Sequence, residues 1–494
     1  MRIKKLYIQD FKKFSPFIEL DFSSEINLLI GINGSGKSSI FEAIASIFTR
    51  VKTYCIDGKR REREFDFKID YTFYSNTIVS ETTTTQESIG SLDLIELTSS
   101  SEGGLVFTMA KNGEYIKDRG EMLKYLPDNI FFYYAGFSQG LKHIVSPIEK
   151  EQAKSFYKIK DNDVSKVSQI FQNQITYIKE SHFPILFLID YLKSQKSELP
   201  LSNEKYSVSN ISLILKKPDD FSNNKVKDLY LLDGLLRKYL DELLRNTFSG
   251  GVEFDEEEKK PFIPIETHQS LITSLYEIGN WENNYIYEND AYLLFHFFNL
   301  LLDIGILEEA RVYIKKGDDS VSFSVNDLSE GEQQLITIST LRKHLLKGNS
   351  VLVLDEPDAF LHPKRQRELI PFLSNLFNEN NTQILLATHS PNLINNAKSS
   401  NISINILDNN KVTRIENNFY GKSISAINYK LMNVTERPKE IQDFLNTLFI
   451  QLEEENIKEA KVIYTKLLDI LGDDDIDLIQ AKIELDFLIS EQND

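Results

Sequence analysis

The chain has 494 residues, 41% hydrophobic and 26% charged, with a formal net charge of -18. This is an ordinary globular balance, and the length is more than one small core needs. The acidic excess argues against a surface coated with nucleic acid, which needs clustered cations. A single cysteine, Cys55, excludes an internal disulfide framework and a multi-cysteine zinc site and fits a reducing, cytoplasmic setting; no apolar run is long enough to span a bilayer.

In chain order, the first residues alternate as a strand rather than reading as a signal peptide. Asn27-Leu28-Leu29-Ile30 is a short buried-strand run, and Ile40 to Ala45 reads as helix. Between them, Gly31-Ile32-Asn33-Gly34-Ser35-Gly36-Lys37-Ser38 fits the pattern G-x-x-x-x-G-K-[ST]. Glycines there let the backbone turn so that successive N–H groups face phosphate oxygens, and the following helix adds its positive end. Lys37 is expected to reach the β- and γ-phosphates of ATP and Ser38 to ligate Mg²⁺, with Asn33, Gly34, Ser35, Gly36 and Ser39 completing the cradle.

Phe65, Phe67, Ile69, Tyr71 and Phe73 alternate with polar residues, as in an antiparallel strand with one buried face. The densest basic run, Lys59-Arg60-Arg61 with Arg63, reads as a solvated hairpin, and Thr82–Thr85 as a loop. Asn112-Gly113 signals a further hairpin, and Asn129–Tyr134 another buried strand. From 145 to 317 charged and apolar residues mix at helical spacing, with turn clusters at 217–220 and 248–251, so a mostly helical insertion is predicted. It has no sustained heptad register.

Alternating strands and helices resume at 318. Val351–Leu354 and Gln383–Ala387 are continuous apolar runs, typical of parallel strands covered on both faces. The first ends in Asp355-Glu356: Asp355 is placed to hold the Mg²⁺ shell and Glu356 to polarise an attacking water. The second ends in Thr388-His389-Ser390. Ile402, Ile404 and Ile406 predict a strand closed by a turn at Asn409-Asn410. From 436, apolar residues at Ile441, Phe444, Leu445, Leu448, Phe449 and Leu452 form one helical stripe, and two more helices follow. Asp473-Asp474-Asp475 reads as a helix N-cap turn rather than a metal cluster.

Leu328-Ser329-Glu330-Gly331-Glu332-Gln333 resembles the ABC signature, with Glu330 and Glu332 replacing its usual glycine and glutamine. The resemblance implies that Ser329, Gly331 and Glu332 engage ATP held by an opposite subunit, at a helix N-terminus. Ser329 and Glu332 also fit a capping box, and the two readings coexist. The same resemblance makes His389 a γ-phosphate contact, Asp358–Pro363 a D-loop crossing a dimer interface, and Gln139 a Q-loop residue touching both nucleotide and Mg²⁺. Lys37, Gln139, Ser329, Glu356 and His389 stand in the superfamily's order.

The whole chain resembles bacterial ABC-type ATPases of the OLD/SMC-like branch, more narrowly the PtuA-like ATPase subunit of Septu and retron anti-phage systems. Ile8-Gln9-Asp10-Phe11-Lys12-Lys13-Phe14, Tyr420-Gly421-Lys422-Ser423-Ile424 and Glu436-Arg437-Pro438 with the paired helices after it carry that likeness. It implies an α/β P-loop NTPase head, with a mixed sheet and an antiparallel β subdomain. The expected division is 1–144 for the first lobe, 145–317 for the helical insertion, 318–430 for the second lobe and 431–494 for a helical tail. The resemblance also implies ATP hydrolysis, a homodimer or higher homo-oligomer through ATP-sandwich contacts, and an HNH nuclease subunit as partner. Nucleic acid (phage DNA or a retron RNA–DNA) would be met through that complex, and no membrane is involved. The competing reading is a DNA-repair or chromosome-maintenance clamp, which the acidic charge disfavours.

Overall fold

A computed structural model describes residues 1–22, 24–58, 65–78, 88–99, 107–136, 139–157, 171–194, 197–198, 205–216, 253–255, 260–265, 290–317, 321–346, 348–375, 382–397, 402–408, 411–415, 419–432 and 437–491. The basic run at Lys59–Arg63, the polar tract Thr82–Thr85, the turn clusters at 217–220 and 248–251, and the Asn409-Asn410 turn lie outside them. Two compact units are formed, Met1–Tyr420 and Gly421–Asp494.

The first unit opens with β1 (Arg2–Phe11), β2 (Phe14–Asp21) and β3 (Ile26–Ile30), then α1 (Lys37–Asp57), β4 (Asp66–Ile78), β5 (Ser88–Ser99), β6 (Phe107–Lys111), β7 (Glu114–Ile116) and α2 (Arg119–Lys124). It continues with β8 (Asn129–Tyr134), α3 (Gly140–Tyr157), β9 (Gln174–Tyr177), α4 (Phe183–Ser194), β10 (Ser197–Glu198), β11 (Lys205–Leu215), β12 (Glu253–Asp255), β13 (Lys260–Ile265), α5 (Asp290–Ile304), β14 (Leu307–Lys316) and β15 (Phe323–Ser324). It closes with α6 (Glu330–Thr340), β16 (Ser350–Asp355), α7 (Pro363–Asn375), β17 (Gln383–Thr388), α8 (Pro391–Ile394), β18 (Ile402–Asp408) and β19 (Lys411–Ile415).

The central sheet runs β19-β18-β3-β17-β16-β8-β9. All of its neighbours pair in parallel except the β18–β19 hairpin. Val351–Leu354 and Ile384–Ala387 are wholly buried, which is why these strands read as unbroken apolar runs. Because β3, β8, β16 and β17 are parallel, the segments leaving their C-terminal ends share one edge of the sheet, where ligands of open α/β sheets bind. Four stretches singled out from the sequence, at Gly31, Gln139, Asp355 and His389, leave from that edge.

A second sheet, β2-β1-β4-β5-β6-β7, is antiparallel throughout. Its buried face (Ile3, Leu6, Ile8, Phe67, Ile69, Tyr71, Leu97, Met109) and the central sheet enclose α1, whose Ile40, Phe41, Ile44, Phe48 and Val51 share one core with them. The predicted hairpin at Asn112-Gly113 joins β6 to β7, both residues adopting positive φ (50° and 87°).

The insertion differs from the mostly helical stretch predicted. Its described part holds α4 and α5 beside a third, antiparallel sheet, β12-β13-β11-β14-β15, with β10 paired to β11. A period-two signal was present on β14, where Ala310, Val312 and Ile314 are buried and Glu309, Arg311, Tyr313 and Lys315 are only half-buried, whereas β11 ends in the continuous buried run Leu213, Ile214 and Leu215. On β14 the long residues Glu308, Glu309, Arg311, Lys315 and Lys316 gave the stretch a helix-like texture.

The second unit carries α9 (Ile424–Ile427) and three helices, α10 (Lys439–Glu453), α11 (Ile457–Leu471) and α12 (Ile476–Glu491). Leu445, Leu448 and Leu452 of α10, Ala460, Ile463 and Leu467 of α11, and Leu478, Ala481 and Leu485 of α12 close its small core. Asp475 accepts from the N–H groups of Asp477 (3.1 Å) and Leu478 (3.3 Å), the N-cap expected of the aspartate run. Among the described residues no helix is long and apolar enough to cross a membrane.

Candidate active site

The loop after β3 takes its shape from its glycines. Gly34 and Gly36 have φ of 78° and 106°, and a Cβ on Gly36 would sit 2.4 Å from Lys13 Cε and 2.7 Å from the Phe14 ring. Gly36 is also the residue from which α1 starts, so the helix begins directly beneath the loop. Ser35 is buried, and its Oγ has no hydrogen-bond partner among the described residues.

Lys37, the first residue of α1, is 5% exposed. Its ammonium donates to the Gly31 carbonyl (2.7 Å) and lies 3.3 Å from Glu356 Oε1. Glu356 stands just past β16 with a φ of 52°, a left-handed conformation that costs a non-glycine residue free energy and gathers at functional sites. Its backbone N–H bonds to the Ala387 carbonyl (2.9 Å), which fixes the end of β16 to β17. Its other carboxylate oxygen is 2.6 Å from His389 Nδ1, and that histidine is half exposed. One carboxylate thus joins the P-loop lysine to the histidine after β17.

Asp355 is wholly buried, and neither of its carboxylate oxygens has a hydrogen bond of normal geometry. Burial pushes its carboxyl up to about 7; the Ser38 hydroxyl works against that rise, and the Glu356 charge adds to it. A buried carboxylate beside a serine hydroxyl, with a lysine charge acting on it, is a ready oxygen donor set for a hard divalent cation. Asp358 is buried next to this pair, accepts from the Thr388 hydroxyl at 2.8 Å, and burial raises its carboxyl to about 6.

Ser329 caps α6 as the capping box predicts: its Oγ and its N–H both meet Glu332 Oε2, at 2.7 and 2.9 Å. Gly331 lies against Phe360, since a Cβ there would stand 2.9 Å from the Phe360 carbonyl oxygen. The signature helix and the Asp358–Pro363 loop therefore meet within one chain. Among the described residues, Ser329, Gly331 and Glu332 make no hydrogen bond to the P-loop. Gln139 is exposed between β8 and α3; its carbonyl accepts from the His143 N–H (2.9 Å), and its side chain makes no hydrogen bond to Ser38 or Asp355. Asn33 is exposed and Ser39 half-buried.

The model of the AAA ATPase domain matches residues 1–394. The chain belongs to that family. The chain is similar to the retron Ec83 probable ATPase of Escherichia coli, 23% identical over 543 residues and covering 100% of this chain and 88% of that one. It is also similar to the retron Vc95 probable ATPase of Vibrio cholerae serotype O1 biovar El Tor, 22% identical over 473 residues, with 89% and 80% covered. Among solved structures, the SMC head domain from Thermotoga maritima aligns with 84% of this chain and 98% of that one, at 13% identity and a TM-score of 0.33.

In this AAA ATPase three site residues have no counterpart in the motif reading. Lys12, with a φ of 53°, and Lys13 form the turn between β1 and β2. That turn delivers Lys13 Nζ to the Gly34 carbonyl and Lys12 Nζ to Glu42. Glu42 is 3% exposed on α1, a charge buried on a face whose neighbours, Ala45, Ser46 and Thr49, are small and uncharged. That misplaced charge was the available signal. Its partner, two strands away in a surface turn, is supplied only by the fold.

Proposed function

We propose that this chain binds and hydrolyses ATP with Mg²⁺ as the ATPase subunit of a retron-type anti-phage defence system. Two copies would close their heads on nucleotide, and the assembly would regulate a separately encoded HNH nuclease. The observation that carries the catalytic part is the convergence of Lys37, Asp355, Glu356 and His389 on one sheet edge, with Glu356 linking lysine to histidine.

The division of labour follows from the chemistry of each group. The N–H groups of Gly34 to Ser38 and the start of α1 would bind the phosphates, and Lys37 would neutralise their charge. Ser38 and Asp355 would hold Mg²⁺, which when bound supplies charge neutralisation across the β- and γ-phosphate oxygens. Glu356 would accept a hydrogen bond from the attacking water and take its proton. His389 holds the Glu356 carboxylate in place through Nδ1, leaving its other nitrogen for the phosphate side. Ser329 and Gly331 of a second copy would close over the same phosphates from the start of their own helix.

The names of the two relatives, both retron probable ATPases matched along most of their length, support the defence setting. The test of the catalytic reading is Lys37→Ala in the full chain. ATP turnover should fall to background and nucleotide binding should weaken by at least tenfold. Turnover at the wild-type rate would remove Lys37 from the mechanism. The nuclease part is tested by co-expressing the chain with its flanking genes and asking whether an HNH protein co-purifies.

A further inference from the structure

The last helix, α12, is apolar on two opposite faces. Leu478, Ala481 and Leu485 point into the three-helix core of the second unit. On the other side Ile476, Ile479, Ile483 and Phe487 are 81%, 45%, 66% and 60% exposed. Their spacing of three, seven and eleven residues from Ile476 sets them in one line along the helix. Four large apolar side chains in a row on a surface are unusual, and such stripes mark contact sites. The row has the spacing of the anchors that an amphipathic helix lays into a hydrophobic groove. Glu484 flanks it on one side and Asp486 on the other, at about 100° of rotation per residue.

The charge of the unit selects the occupant. Residues 437–491 hold 14 acidic and 6 basic side chains. Pairing this stripe with the same stripe of a second copy would bring two acidic surfaces together, which costs free energy. We propose that the exposed face of α12 is the docking surface for a partner protein whose hydrophobic groove is rimmed by lysine and arginine. This rests on the reading above that the ATPase acts through a separate subunit, and it assigns to that subunit a place on the chain remote in sequence from every motif of the ATP site. The partner's groove would take Ile479, Ile483 and Phe487, and its cations would meet Glu484 and Asp486, so association should weaken with salt.

The experiment uses the full chain expressed with its flanking genes. The one native cysteine, Cys55, is buried, so Ile483→Cys supplies the reactive thiol for a photo-crosslinking maleimide. The expected result is a crosslink to another protein, at a peptide where lysine or arginine surrounds apolar residues. Co-purification of that protein should fall about tenfold with Ile479→Asp, with ATP turnover by the isolated chain and its thermal midpoint unchanged. Crosslinks confined to residues 1–420 of the same chain, crosslinks to a second copy, no crosslink, or co-purification indifferent to Ile479→Asp would each overturn the proposal. The two readings separate cleanly. A basic partner that is not an HNH nuclease keeps the docking face and removes the nuclease. An HNH nuclease that co-purifies but crosslinks elsewhere keeps the nuclease and removes the docking face.

Discussion

Lys52 lies on α1, the helix that carries Lys37 and Ser38, and is 2% exposed. Its Nζ has no hydrogen-bond partner among the described residues, and its charge bears on the equally buried His296 of α5. Burial lowers its pKa from 10.5 to about 7. The unfolded chain therefore keeps a proton that the folded chain releases between those values, so stability rises with pH across that window. Below pH 7 both states are protonated and the penalty is complete. At ~1.36 kcal/mol per pH unit it amounts to about 5 kcal/mol. Lys52→Met keeps the volume and removes the charge. The variant should be more stable than the wild type by ~3–5 kcal/mol at pH 6, and by ~1 kcal/mol or less near pH 10. Urea unfolding followed by circular dichroism at a series of pH values measures this. Taking the difference between the two proteins cancels groups common to both, such as the Cys55 thiol, which burial pushes up to about 12. A constant difference from pH 6 to 10, or a less stable variant, would show that Lys52 carries no buried-charge penalty.

Gly36→Ala should abolish nucleotide binding and destabilise the head by ~1–3 kcal/mol, since its φ of 106° is open to glycine alone and the added methyl meets Lys13 and Phe14. Isothermal titration with ATP and thermal unfolding read the two effects. Arg437 pairs with Asp475 (2.8 Å) and Asp477 (2.6 Å), and its hydrogen bond to Asp475 holds that carboxyl below the usual range. Arg437→Ala should cost the second unit ~1 kcal/mol, a value reduced by the exposure of the aspartates. The loss should appear as faster amide exchange across α10 to α12 with α1 unchanged. For Asp475 the folded pKa is depressed, so its share of the stability is present at neutral pH and lost as the pH falls below about 4.

The geometry of the candidate site was legible in the sequence where backbone conformation forces residue choice. Gly34 and Gly36 have the positive φ their loop requires, and Asp355 and His389 follow strands whose unbroken apolar runs marked them as buried and parallel. Helices α10 and α11 of the tail were equally legible, because a stripe such as Leu445, Leu448 and Leu452 is a local pattern. What was not legible depends on partners far apart in the chain. The Lys12–Glu42 and Lys13–Gly34 contacts need the β1–β2 turn folded over α1. The alternation in β14 was masked because Glu308, Glu309, Arg311, Lys315 and Lys316 fill its exposed and half-buried positions, and that mixture also fits a helix surface; β11, with Ser207, Ser209 and Asn210 outward and Leu213, Ile214 and Leu215 all buried, offers no clean alternation. The exposed stripe on α12 was hidden for the opposite reason: apolar residues on two faces remove the amphipathic signal, and only the packed structure separates the buried face from the bare one.

In the proposed mechanism one copy's P-loop and another copy's Ser329 helix close on the same nucleotide. Glu356→Gln should retain ATP while removing the base, so the closed pair should accumulate. Its solution mass, measured by light scattering with and without ATP and Mg²⁺, tests this most directly when run beside the double variant Glu356→Gln, Ser329→Arg. ATP should at least double the mass of the single variant relative to its nucleotide-free form and leave the double variant unchanged. A mass that ATP does not alter, or a doubling that survives Ser329→Arg, would contradict that mechanism.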